Sequence, residues 1–234
     1  MTLNDFDYLA QLPGQEREQN WIRERLRTLS VREGVVLAAA VLCWQPRNAT
    51  DAINQLQYLD HYRIVLDAGS HEALGKRYYE DLCENVPAHI RHHINFERLG
   101  EQFEYKHPGL FIGGCYVKYT DREPELAYRG GDAPLPVDDQ WTIKVKLASS
   151  AQPDGVWLRL PGPQRESVRI PDEERELAFQ QLGVNHLDDC TLLDAVCILP
   201  QVKNLMQEFN SISELVSNGN YLAQCLRLEC RMAL

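Results

Sequence analysis

The sequence predicts an α+β protein, with a mainly helical N-terminal unit followed by a smaller mixed α/β unit. Three observations support this. Apolar residues recur at helical spacing through the first hundred positions. Stretches rich in β-branched and aromatic residues follow at Leu110 to Tyr119, Thr142 to Leu147 and Gly155 to Leu160. Between the first of these and the other two lies AYRGGDAPLPVDDQ, residues 127–140, with paired glycines, two prolines and little periodicity. The expected organisation is therefore a helical unit at 1–126, a linker at 127–140 and an α+β unit at 141–234. A chain of 234 residues is long enough for two packed units.

In chain order, Trp21, Ile22, Leu26 and Leu29 mark the apolar face of a first helix. Gly34 is expected to break it from the run Val35 to Cys43, giving a helical hairpin. A second helix is expected to start at Thr50 as N-cap, with Asp51 in its first turn, where the helix dipole favours an anion. Ile53, Leu56 and Leu59 supply its buried stripe. Tyr62 to Leu66 reads as a short strand. Ser70 can cap the next helix, whose Leu74, Tyr78 and Leu82 recur at i, i+4 and i+8. Pro87 suits the first turn of another helix, with Ile90, Ile94 and Leu99 facing inward. Leu110 to Tyr119, interrupted by Gly113 and Gly114, reads as a strand pair or a bulged strand. In the second unit, two alternating strands precede a helix from Glu173 to Leu182, which Gly183 ends. Leu192 to Leu199 is a third strand. Helices are expected at Gln201 to Phe209 and Ser213 to Val216, then a turn at Asn218–Gly219, and Tyr221 to Leu234 as helix or strand.

The composition excludes several classes of function. The net charge of −10 argues against direct nucleic-acid binding, which needs a basic face. No apolar run approaches the roughly 18–20 residues that cross a bilayer, and the acidic start MTLNDFDYLAQ lacks the features of a signal peptide. No membrane association and a cytoplasmic location are the expectation. Seven cysteines without regular spacing fit thiols in a reducing compartment. His89 and His93 stand one helical turn apart near His92, Cys83, Cys115 and His107, but no second ligand pair has metal spacing. No metal site and no cofactor are expected. Cys115, with His107 upstream, has the residue types of a nucleophile and base, yet a cysteine in an apolar strand reads more simply as core. Phosphate loops, G-x-S-x-G and dinucleotide fingerprints are absent, so no catalysis is expected. The four tryptophans, Trp21, Trp44, Trp141 and Trp157, read as core anchors; an exposed one would mark an interface.

One stretch carries a resemblance. From Asp51 to Thr120, an aliphatic helix is followed by LG-x-x-Y-x-E-x-L at Leu74 to Leu82. Then come P-x-H-I-x-x-x-I-N-F-E-x-L-G at Pro87 to Gly100 and the strand GCYVKY. In order and spacing these pieces resemble the helical part of ArdA antirestriction proteins. IKVKLASS, GVWLRLPGP and the later Ser211, Ile212, Glu214 and Leu215 are similar to that family's strand-rich opening unit, here placed second. That order resembles accessory proteins of conjugative elements in Gram-positive gut bacteria.

The resemblance implies an acidic, dimeric DNA mimic that binds a type I restriction-modification enzyme and so protects incoming mobile DNA. The carboxylates that would stand for phosphates are Asp51, Asp60, Asp67, Glu72, Glu80, Asp81, Glu84, Glu97, Glu101 and Glu104. Glu80 and Glu84 are spaced i, i+4, and Glu97, Glu101 and Glu104 form a second row. Arg77, Arg91, Arg98 and Lys106 lie among them and can neutralise them. The alternative is a non-enzymatic interaction module of a conjugative element that does not mimic DNA. A continuous negative stripe would favour mimicry, and a mixed-charge surface the alternative.

Overall fold

A computed structural model describes residues 3–82, 93–119, 128–138, 141–161, 172–199 and 211–232. The fold is mixed α+β and divides into two units. Unit 1 comprises Met1–Leu26 and Gly34–Leu135; unit 2 comprises Arg27–Glu33 and Pro136–Leu234. No helix of the described residues is long and apolar enough to cross a membrane.

Helix α1 spans Glu16–Arg27 and buries Ile22 and Leu26, one turn apart. Helix α2 spans Val31–Cys43 and runs straight through Gly34, so the expected break there is not made. The chain breaks at Thr28 to Ser30 instead, and the cause is local. Ser30 Oγ accepts from the Glu33 amide at 3.2 Å, while Glu33 Oε2 accepts from the Ser30 amide at 3.0 Å. This reciprocal capping box fixes the helix start at Val31, three residues before the glycine. Helix α3, Ala49–Gln57, is capped by Asn48 rather than Thr50, because Asn48 Oδ1 already accepts from the Asp51 amide at 2.8 Å.

Strand β1, Tyr62–Val65, is followed by α4, His71–Leu82, where Ser70 Oγ accepts from the Ala73 amide as expected. Leu74 of α4 is buried, but Leu82, expected on the same stripe, is exposed in the last turn. The helix expected to begin at Pro87, with Ile90, lies outside the described residues. Helix α5 begins only at Phe96 and runs to Lys106, capped by Asn95, so Ile94 precedes it. Strands β2, Gly109–Ile112, and β3, Cys115–Tyr119, form a hairpin in which Ile112 faces Cys115. Gly113 and Gly114 both take positive φ, 57° and 81°, as a two-residue turn matched to strand twist requires. The antiparallel order is β1-β3-β2. Part of the stretch read as linker is bound into unit 1: Tyr128 is buried, exchanges backbone hydrogen bonds with the Asn54 amide group and donates its hydroxyl to Glu18 at 2.8 Å.

Unit 2 is built on strands β4, Trp141–Ala148, β5, Val156–Pro161, and β6, Thr191–Cys197, in the antiparallel order β5-β4-β6. Alternation sends Ile143, Val145, Leu147, Val156, Leu158 and Leu160 to one face, where helices α6, Asp172–Leu182, and α7, Ile212–Met232, cover them. Gly183, at φ 66°, ends α6 as expected. Asn218–Gly219 makes no turn; both residues lie inside α7. A Cβ at Gly219 would stand 2.5 Å from Leu160 and 3.1 Å from Ile143, so the glycine serves a close approach of helix to sheet. The helix expected at 201–209 lies outside the described residues.

The opposite face of β4 and β5 places Lys144 directly across from Arg159. Two facing cations repel, and both are buried, so carboxylates must cover them. Arg159 pairs with Glu33 and, at 2.7 Å, with Asp138, which also holds Lys144 at 2.7 Å. Glu174 accepts from the Arg159 amide at 3.1 Å and from Ser30 Oγ at 3.0 Å. Burial pushes the Glu174 carboxyl above its ordinary range, against the pull of Arg32 and Arg159. These bonds explain why residues 27–33 belong with unit 2.

Candidate functional site

The predicted acidic residues fall mainly on α4 and α5, and these two helices pack unusually closely. A Cβ on Gly75 would come within 1.8 Å of the Phe96 carbonyl oxygen, and one on Gly100 within 1.9 Å of the His71 carbonyl oxygen. The contact is completed by Leu74, Phe103 and Tyr78, whose ring lies 5.0 Å from that of Phe103. This pair carries Glu72, Glu80 and Asp81 on one helix and Glu97, Glu101 and Glu104 on the other. Glu84 lies outside the described residues.

The face is of mixed charge. Glu72 accepts from Lys76 at 2.6 Å one turn on, which lowers its pKa. Arg77 sits between Asp67 and Glu80, bonded to the first and 3.8 Å from the second. Glu104 meets His71 at 2.6 Å. Asp81, Glu97 and Glu101 are exposed. Asp51 and Asp60 stand elsewhere in unit 1. Asp51 accepts from the Arg47 amide at 3.0 Å at the start of α3, and Asp60, half-buried in the turn Leu59–His61, is also engaged.

The other candidates carry less. Cys115 is buried and its thiol pKa is pushed up by that burial, the reverse of what activates a nucleophile. His107 packs its ring on Phe103 and accepts the Tyr116 hydroxyl on its carbonyl at 2.7 Å. Among the described residues no group of three metal-ligating side chains occurs; His89, His92 and Cys83 lie outside them, and His93 is exposed.

A cleft that the sequence did not reveal lies in unit 1. Trp44, expected in the core, is 66% exposed at its rim, in contrast to buried Trp157 and half-buried Trp21 and Trp141. The cavity, about 710 Å³, is walled by Trp44, Tyr58, Tyr62 and Tyr119, with Arg47, Asp51 and Gln55 supplying polar groups. Tyr62 and Tyr119 meet edge to face at 5.1 Å as partners across the β1–β3 ladder. Gln55 Nε2 donates to the Trp44 carbonyl and pins the 44–47 loop. Only the exposed tryptophan had a sequence signal, since its walls come from positions 42 to 119.

No family model, curated protein or solved structure matches the chain.

Proposed function

We propose that this chain works in the cytoplasm without catalysis, by binding a protein, and that its target is a type I restriction-modification enzyme. The target comes from the ArdA resemblance of residues 51–120. The observation that carries the reading is the α4–α5 pair: six carboxylates on two helices, held in fixed relation by the close approach at Gly75 and Gly100. Carboxylates one turn apart on a helix are about 5–6 Å apart, and two helices side by side are needed to approach the charge density of a duplex.

A second reading, an accessory interaction module without DNA mimicry, is favoured by the local neutralisation of that face. Lys76 pairs with Glu72, Arg77 stands between Asp67 and Glu80, and His71 hydrogen-bonds Glu104. The test is the plating efficiency of unmodified phage on hosts carrying type I systems, with and without expression of this chain. A rise supports the first reading. Its absence across several such systems refutes it. If protection occurs, Glu97→Gln/Glu101→Gln reduces it under mimicry and leaves it unchanged if binding uses another face.

A further inference from the structure

The two edges of the sheet in unit 2 are finished differently. The outer edge of β5 is met by Ser30, which bridges to Trp157. Strand β6 pairs with β4 on one side only, and no strand lies along its other side among the described residues. Ile198 donates its amide to the Thr142 carbonyl at 2.9 Å, which sets the phase of the ladder. Val196 and Asp194, on the same alternation, also turn their backbone groups to β4, and Ala195 and Cys197 turn theirs outward. An edge of this kind is a template for a further strand. Leu193 and Val196 are each 41% exposed on it, and Asp194 is the only charged residue of the strand. Two local features oppose such pairing. The register shifts between Lys146 and Leu147, so Leu193 has no partner on β4 and the strand bulges. In addition, Asp194 Oδ1 accepts from the Ala195 amide at 2.8 Å. That bond joins neighbouring residues and adds nothing to the ladder. What it does is occupy the outward N–H at the middle of the edge, a donor that an incoming strand needs.

We propose that Asp194 is a stop that keeps β6 from pairing with the β6 of a second copy of this chain. A second copy is the occupant because the edge is complementary to itself. In antiparallel pairing about Val196, Ala195 of one copy faces Cys197 of the other, and these are the residues whose backbone groups point outward. Val196 meets its counterpart at the close, non-hydrogen-bonded position, so the two exposed side chains cover each other. Asp194 falls opposite Ile198, and the two carboxylates are not directly opposed. To reach this arrangement both Ala195 amides must first leave Asp194, and two chains of net charge −10 must approach. The stop is independent of the antirestriction reading.

Sedimentation velocity of the full chain over a range of concentrations tests it with the wild type, Asp194→Ala, Asp194→Asn and Asp194→Ala/Ala195→Pro. Asp194 is exposed, so its replacement spares the fold, which circular dichroism checks for each variant. Asp194→Ala is expected to self-associate about tenfold more tightly than the wild type, the scale of one hydrogen bond to a charged group. Asp194→Asn keeps an acceptor for the amide and falls between the two. Adding Ala195→Pro removes the outward N–H, at an edge where proline is tolerated, and restores the sedimentation of the wild type. Hydrogen exchange gives a second readout: in Asp194→Ala the amides of Ala195 and Cys197 exchange more slowly as protein concentration rises. If the alanine variant does not fold, Asp194→Val, a β-branched residue suited to a strand, is held to the same outcomes. Any of three results overturns the proposal: Asp194→Ala sedimenting as the wild type does, association that survives Ala195→Pro, or association that leaves exchange at Ala195 and Cys197 unchanged.

Discussion

Replacing Gly75 or Gly100 with alanine sets two physical effects against each other. Both glycines lie inside helices, where alanine is favoured by about 1 kcal/mol. Judged by propensity alone, either substitution stabilises the protein. The packing predicts the opposite. Real Cβ atoms essentially never come within 3.0 Å of a neighbour, and at Gly75 the Phe96 carbonyl oxygen would be 1.8 Å away. The helices must therefore separate by at least 1.2 Å, the shortfall between those two distances. The obstacle is backbone, so no side chain can swing aside. Separation loosens Leu74 against Phe103 and stretches the 2.6 Å contact of His71 with Glu104. Overpacking of this kind costs about 1–3 kcal/mol, and more where the obstacle is rigid, which outweighs the propensity gain. A net loss of about 2 kcal/mol is expected for each variant. Urea denaturation followed by circular dichroism reads it as a lower midpoint at unchanged slope, and hydrogen exchange localises it to α4 and α5. The double variant loses less than the sum, because both residues serve one contact. A midpoint raised by either single substitution would refute the close approach.

Two further predictions concern unit 2. Arg159→Met takes the Arg159 cation from the buried carboxylate of Glu33 and from Asp138, so a loss of about 3 kcal/mol is expected in denaturant. Adding Glu33→Leu should recover part of it, and no recovery would show that the charge pairing is not the cause. Glu174 gives a pH signature. Burial raises its folded pKa above the ordinary 4.5, so its contribution to stability is whole below that pH and drains as pH rises above it. Glu174→Gln therefore gains on the wild type as pH climbs above 4.5, and a difference flat in pH would contradict the raised pKa.

Local signals were legible where the chain makes bonds within a few residues. Ser70 and Gly183 mark helix ends as their chemistry predicts, and the Gly113–Gly114 turn makes the hairpin. Ser30-x-x-Glu33 was equally local, a readable capping box overshadowed by Gly34. Glycine misleads when its purpose lies across the fold. Gly34 and Gly219 look like breaks, yet both sit inside helices, and Gly219 is there for Leu160 and Ile143. The acidic rows on α4 and α5 could be counted in the sequence. That Arg77 would stand between Asp67 and Glu80 depends on a turn residue at φ 51°, which spacing does not disclose. The cleft was least legible, because Tyr62 and Tyr119 meet only through strand pairing.

The capping box at Ser30 and Glu33 has a consequence for biosynthesis. Ser30 meets Glu174, 144 positions later in the chain. A ribosome adding about 5–20 residues per second leaves that segment waiting on the order of ten seconds for its partner. Most of unit 1 emerges in the interval. Unit 2 is thus begun early and closed late, and Ser30 and Glu33 wait for their charged partners until the segment from Asp138 to Glu174 has been made.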